Sequence, residues 1–484
     1  MEDSYMEGNY ISEKRRKEQF HEEVLKEAWR LAEEKRKKRE REKGFGPITL
    51  DEVLEVLDLT IKKDDSNKIM VFLGMLSAYT EESQINITLN APSSTGKTYI
   101  PKQVVRLFPK EDVRIKGYCS PTAFFHEEGE YDQERKATIV DLSRKIIIFE
   151  DQPNPALLER LRPLLSHDSK EMNVSITDKK KGSGNRTKKV IIKGYPAVTF
   201  CSADLKMDEQ ECTRFMMLSP EIDAEKIRLG IIEKVKAEKD PEEYRKRLEA
   251  NPKRQALIER IRAIKEANIR NIKISNPKML QDEFFKQNQN LKARHQRDIS
   301  RLIALTKASA LLNLWHRERQ GTDIVASEED FYVAWNLWLE LSKSQDLNLP
   351  PYVYGIYEEV IVPAFIEKGT GLKRTDIIKR YNEVNGHKLQ DKYLRDQVLK
   401  TLYSAGLIFY EKDPDDHRRN LIFVPDSRVD MEGKPGDNED HPPQEIYFED
   451  YKNIEFGVSP EEIDAENIDS GVDVPPVNDD PIPF

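Results

Sequence analysis

The run Ala91-Pro-Ser-Ser-Thr-Gly96-Lys97-Thr98 constrains this chain more than any other eight residues. It reads as a phosphate-binding P-loop. Such a loop needs a strand before it and a helix after it, so that backbone N–H groups face the phosphates. Gln84–Asn90 alternates in the manner of a strand and runs straight into the turn. Pro92, Ser93, Ser94, Thr95 and Gly96 form the expected cradle, and Gly96 lets the backbone approach the ligand. Lys97 is expected to reach the β- and γ-phosphates, and Thr98 to offer its hydroxyl to Mg²⁺. Ala91 stands where a first glycine is usual. The expected ligands are therefore ATP, or GTP by the same pattern, together with Mg²⁺.

Hydrolysis needs carboxylates beside the loop. Ile146-Ile-Ile-Phe149 reads as a buried strand that ends in Glu150 and Asp151. One carboxylate is expected to hold Mg²⁺ through water and the other to orient the attacking water. The usual order is Asp then Glu. The reversed order leaves the division of labour open, with Glu150 assigned to the metal and Asp151 to the water. A third strand, Ala197–Ser202, should bring a polar sensor to the same edge, either Ser202 or Thr199. Arg214 follows, at the edge of the sheet domain, where an arginine can reach a neighbouring subunit's nucleotide. A surface arginine in a salt bridge is the other reading.

Strands and helices alternate from the P-loop to about residue 220, which predicts an α/β fold with a parallel sheet. The expected domains are a charged helical extension (1–46), the α/β ATPase domain (47–220), a helical lid (221–345), a winged helix (352–425) and a disordered acidic tail (426–484). Thr49 and Glu52 predict a capping box at the first helix of the ATPase domain. The lid is read as helical throughout.

Between the Glu150-Asp151 strand and the Ser202 strand lies an insertion. Asn173–Asp178 and Val190–Gly194 flank a Gly-Ser-Gly-Asn turn, which predicts a β-hairpin. Lys179, Lys180, Lys181, Arg186, Lys188 and Lys189 cluster on it, a pattern suited to phosphates and ill suited to a core.

With this hairpin the chain resembles the helicase clade of AAA+ ATPases, which includes superfamily III and mini-chromosome-maintenance helicases. It is most similar to AAA+ modules attached to primases of phages and mobile elements. The matching pieces are Asp65–Leu73, Ser93–Thr98, Cys119–Phe125 and Glu211-Cys-Thr-Arg214, and the resemblance spans about residues 48–340. It implies a hexameric ring whose presensor hairpins grip DNA, single-stranded or forked. It also implies a second sensor arginine for the γ-phosphate at the start of the long lid helix, Arg297 in preference to Arg294. No primase elements are visible, so any primase would be a separate chain.

Two features near the end suggest recruitment. Residues 372–424 carry helix, helix and hairpin signals closed by Gly386 and Gly406, with Lys392, Arg395, Lys400, Arg418 and Arg419 available to DNA. The last residues, Asp-Asp-Pro-Ile482-Pro483-Phe484, resemble the tip of bacterial single-stranded-DNA-binding proteins. That likeness implies docking of Ile482, Pro483 and Phe484 onto replication or repair proteins. The tail from Asp426 to Phe484 has 18 acidic and 3 basic residues, a net of -15 that leaves the rest at +5 out of the total -10. The opening residues are acidic and lack an apolar run, three scattered cysteines do not make a disulfide framework, and the chain is expected to be cytoplasmic.

Three functions fit these signals. The first is an ATP-dependent DNA helicase or translocase. The second is an ATP switch such as a helicase loader, initiator or DNA-binding regulator. The third is a protein unfoldase, which fits less well because Gly117-Tyr118-Cys119 lacks the usual pore-loop order.

Overall fold

The computed structural model describes residues 44–425 apart from residues 118, 128, 179–185, 204–212 and 415. The expected amino-terminal helix, the hairpin tip with Lys179, Lys180 and Lys181, and the tail with Ile482, Pro483 and Phe484 lie outside the described residues. No helix among the described residues is long and apolar enough to cross a membrane.

Helix α1 (Leu50–Leu57) starts at Thr49. Its hydroxyl accepts from the Glu52 N–H while the Glu52 carboxylate accepts from the Thr49 N–H at 2.9 Å, the expected capping box. Helix α2 (Asp65–Leu76) is buried along most of its length. It leads to β1 (Ile87–Asn90), the P-loop and the short helix α3 (Tyr99–Val104). Next come β2 (Val113–Lys116), β3 (Glu130–Asp132), β4 (Ala137–Asp141), β5 (Ile146–Phe149), α4 (Pro155–Leu165), β6 (Glu171–Asp178), β7 (Arg186–Lys193), β8 (Ala197–Ser202) and β9 (Met216–Leu218).

The central sheet has the order β2-β5-β8-β1-β9, and every pairing in it is parallel. A parallel sheet is apolar on both faces. Ile146 and Ile148 face one way, into a core shared with α2. Ile147 and Phe149 face the other way, onto Leu157, Leu161 and Leu164 of α4. The strands all end at one edge, where the P-loop follows β1.

A second sheet has the order β3-β4-β7-β6, and no local sequence pattern marks it. The inserted segment is a hairpin, as expected, with β6 and β7 antiparallel from Glu171↔Lys193 to Asp178↔Arg186. It is not a free finger. β7 pairs in parallel with β4, and Val190 and Ile192 are buried with Val140 against Phe124 and α4. The inward side of β7 is therefore core, and Met172, Val174 and Ile176 of β6 pack against it partly buried, because side chains alternate across a strand. Both β4 and β7 pass directly into the central sheet. Leu142 N–H donates to Lys193 O at 2.8 Å, and Ala197 N–H to Lys145 O at 2.9 Å across the two crossings. Gly194, at φ +84°, packs against Ser143 so closely that a Cβ would collide with it.

The region expected to be an all-helical lid divides in two. Helices α5 (Ala224–Lys239) and α6 (Pro241–Glu249) have no buried residues. Helices α7 (Pro252–Ala267), α8 (Pro277–Gln287), α9 (His295–Leu312) and α10 (Glu328–Asp346) share one core with α1, α2 and the central sheet. Three strands interrupt them: β10 (Ile272–Ile274), β11 (Arg319–Gln320) and β12 (Asp323–Ala326). The second part therefore belongs to the body, because its apolar faces are buried on α2.

The carboxy-terminal part has a core of its own. Helix α11 joins Pro351–Gly355, a π-helical stretch Ile356–Ile361 and Val362–Lys368. Helix α12 (Arg374–Asn385) is closed by Gly386 at φ +70°. Helix α13 joins Asp391–Tyr393, Leu394–Val398 and Leu399–Ser404. The antiparallel strands β13 (Phe409–Lys412) and β14 (Asn420–Phe423) follow, and Leu372 bridges to Ile422.

Candidate functional site

The edge where the strands of the central sheet end gathers four expected groups. The P-loop leaves β1 there, Glu150 and Asp151 leave β5, and Ser202 ends β8 in register with Asn90. Ser94 at φ +69° and Gly96 at φ +94° give the loop its tight turn. Nothing lies within 4 Å of where a Gly96 Cβ would stand, so the turn opens onto free space. Lys97 Nζ rests 3.3 Å from Pro92 O, folded over its own loop. Thr98 Oγ1 lies 3.5 Å from the Glu150 carbonyl oxygen, which brings the two expected Mg²⁺ neighbours together. Hydroxyl and carboxylate oxygens are the donors a hard cation takes, so this set fits Mg²⁺.

The two carboxylates differ. Glu150 forms a 2.6 Å ion pair with Lys102 of α3, while Asp151 is exposed. Ser202 donates to Gln152 Oε1 at 2.8 Å, and Thr199 lies buried mid-strand, away from the edge. Of the two sensor readings the geometry favours Ser202. It also adds Gln152, whose only sequence signal was its place directly after the Glu-Asp pair. Cys201 is buried beneath the loop, with its thiol 3.3 Å from Lys97 O, and burial pushes that thiol up to about 11.

The loop opens into a cleft of about 930 Å³, in the range of small-molecule sites. Thr60–Lys62, Tyr99 and Gln103 line one side, and Ile227, Gly230 and Ile231 of α5 line another. Lys226, in the first turn of α5, donates to Thr95 O at 3.2 Å and pairs with the fully buried Asp64. Asp64 also accepts from Glu221 N–H at 2.7 Å and from Asn67 at 3.2 Å. This hub ties the P-loop to α5 and to the segment before α2. Its only sequence signal was the polar turn at residues 62–66.

Arg297 does not reach this site. Its guanidinium bonds the Thr213 hydroxyl, ahead of β9, at the edge where the strands begin. A strand of four residues is about 13 Å long, so a full strand length separates Arg297 from the P-loop. Arg294 is committed to Asp298 at 2.8 Å and Asn348 at 2.8 Å. The reason is that α9 is packed into the body and does not lie over the cleft. Arg214 sits at the same far edge and donates to Ser166 Oγ at 2.7 Å, at the end of α4. It too is remote from the P-loop of its own chain.

The hairpin cations do not share one face. Lys188 pairs across the strand with Ile176 on the core-facing side, and Lys189 pairs with Ser175 on the opposite side. The strand at Arg186 is described, but its side chain is not. In the carboxy-terminal part, Arg395 and Lys400 both pair with Asp396, at 2.8 and 3.8 Å, and Arg419 pairs with Asp416 at 3.1 Å. Much of the positive charge expected to meet DNA there is neutralised within the chain.

Residues 46–253 match the protein-family model described as the MTBMA_p00010 P-loop domain. This match supports a P-loop NTPase domain over these residues. It runs from just before α1 to the first residues of α7, and so includes α5 and α6. No curated protein matches the chain. A P-loop domain suggests binding and hydrolysis of a nucleoside triphosphate, with Mg²⁺ as the usual companion.

Proposed function

We propose that the chain is an ATP-dependent DNA helicase or translocase of the AAA+ helicase clade, working as a ring in the replication of a phage or mobile element. The observation that carries this reading is the strand order β2-β5-β8-β1-β9 with a hairpin inserted between β5 and β8. That order puts the P-loop strand between the sensor strand and a last strand preceded by Arg214. From the far edge Arg214 can serve a nucleotide only on a neighbouring subunit, as a ring would require. Lys97 and Thr98 hold the phosphates and Mg²⁺, Glu150 supports the metal, and Asp151 with Gln152 and Ser202 orients the water. The crossings at 142–145 and 194–196 carry movement at β5 and β8 into the hairpin, whose Lys179, Lys180 and Lys181 grip the DNA backbone. The part from 352 to 425 serves as a winged helix. Its paired cations suit a protein dock better than a phosphate track.

One observation favours a non-translocating switch. The Glu150 carboxylate is paired with Lys102, and a role at the metal requires it to leave that pair. Unwinding of a forked duplex by wild type and by the variant with Lys179, Lys180 and Lys181 all changed to Ala separates the readings. A helicase unwinds with ATP, and the variant keeps basal hydrolysis but loses unwinding. Hydrolysis without unwinding by the wild type indicates the switch.

A further inference from the structure

We propose that Lys388, in the carboxy-terminal part, contacts the nucleotide held by the P-loop and so makes the 386–390 loop the nucleotide-sensing lid of this chain. The proposal rests on the P-loop cleft being the nucleotide site. The arginines expected to serve as a lid sensor lie at the other edge of the sheet, so the cleft must draw any further cation from elsewhere. His387, Lys388 and Gln390 line the same cleft as Pro92–Gly96.

The loop is built to hold its place. Gly386 closes α12 at φ +70°, and a Cβ there would lie 3.9 Å from Ala224 at the start of α5. Two residues on, Lys226 bonds Thr95 of the P-loop. His387 is tied at both ring nitrogens. Nδ1 donates to Asn385 O at 3.0 Å, and Nε2 accepts from the Tyr381 hydroxyl at 3.2 Å. The next residue, Lys388, is exposed.

The cations that line the cleft are not equally free. Lys62 pairs with Glu233 at 3.6 Å, and Lys226 is spent on Asp64, Thr95 O and Glu221 O. Arg106, Lys234 and Lys388 have no ion pair among the described residues. Arg106 is shared with a neighbouring cleft beside β2. Lys234 stands eight residues along α5 from Lys226, about 12 Å farther out. Of the three, Lys388 is the one presented by the fixed 386–390 loop. A nucleoside triphosphate held at Pro92–Gly96 brings its polyphosphate charge into the cleft that Lys388 also lines, and an ammonium facing it gains a charge-assisted contact. The nucleotide then bridges α5 and the carboxy-terminal part, so its arrival and loss are felt by both.

The test is titration of the full chain with a fluorescent ATP analogue and Mg²⁺. Lys388→Ala should weaken binding about tenfold, the loss of one charge-assisted contact. Lys388→Arg should restore binding, and Lys97→Ala should abolish it. Hydrogen exchange at residues 386–393 should slow when ATP is added. If Lys388→Ala binds as the wild type does while Lys97→Ala does not, the lid proposal is overturned and the P-loop site stands. If the wild type binds no nucleotide, both fall. Unchanged exchange at 386–393 under saturating ATP also overturns the lid proposal.

Discussion

Ser202 donates a 2.8 Å hydrogen bond to the side-chain oxygen of Gln152. This bond links the end of β8 to the residue after the two carboxylates. It turns the Gln152 amide into a donor whose position is set by the sheet. Gln152→Ala and Ser202→Ala should each lower kcat for ATP hydrolysis by about 10²-fold with little change in KM, as removal of a positioned polar group does. Asp151→Asn should cost more than either, and Glu150→Gln should chiefly raise the Mg²⁺ concentration needed. Steady-state kinetics across an Mg²⁺ series checks all four. An inactive Glu150→Gln beside an active Asp151→Asn would reverse the two roles.

Arg297 and Arg301 stand one turn apart on α9 and should behave oppositely to what motif reasoning expects. Arg301 is mostly buried, with a 2.9 Å ion pair to Asp298 and 2.9 Å bonds to the carbonyls of Thr213 and Phe215. Arg301→Met should cost about 3 kcal/mol of stability, the low end for a broken buried pair, since Arg294 stays on Asp298. Arg297→Ala should leave both Tm and ATP affinity unchanged. Thermal unfolding and nucleotide titration of the two variants decide this. Loss of ATP affinity in Arg297→Ala alone would place α9 over the cleft after all.

His167 gives the fold an acid-sensitive joint. It lies between Gln84, 3.2 Å from Nε2, and the Tyr195 ring, at the far edge of the central sheet. Burial lowers its pKa below the ordinary 6.5. The unfolded chain therefore takes up this proton before the folded chain does. Stability should fall as pH drops below about 6.5 and continue to fall until the folded pKa is passed. His167→Gln should flatten that part of the profile. Tm measured from pH 7.5 to 5.5 checks this, and an equally steep fall in the variant would assign the effect to other groups.

Local chemistry made much of this legible in the sequence. The Thr49 capping box, the P-loop turn, the Ile146–Phe149 strand with its carboxylates and the paired arms of the hairpin are set by neighbours within a few residues. Long-range packing was not legible. Ala137–Asp141 is a short alternating run, and nothing local says that it pairs with β7 or that this pairing buries Val190 and Ile192. Helix α9 is apolar enough for a lid or for a core, and only its contact with α2 decides between them. The Lys226–Asp64 pair joins residues 162 positions apart, beyond the reach of any spacing rule. The masking of polarity by ion pairs was equally hidden. Arg395 and Lys400 read as free cations until Asp396 is seen between them.

The account stands most directly on the P-loop. ATP hydrolysis by the full chain, with and without single-stranded DNA, should be measured for the wild type and for Lys97→Ala. The account predicts hydrolysis by the wild type that rises with DNA, and none by the variant under either condition. Equal rates for the two proteins would contradict it, because the P-loop site of Lys97, Thr98 and Glu150 would then have no part in the chemistry.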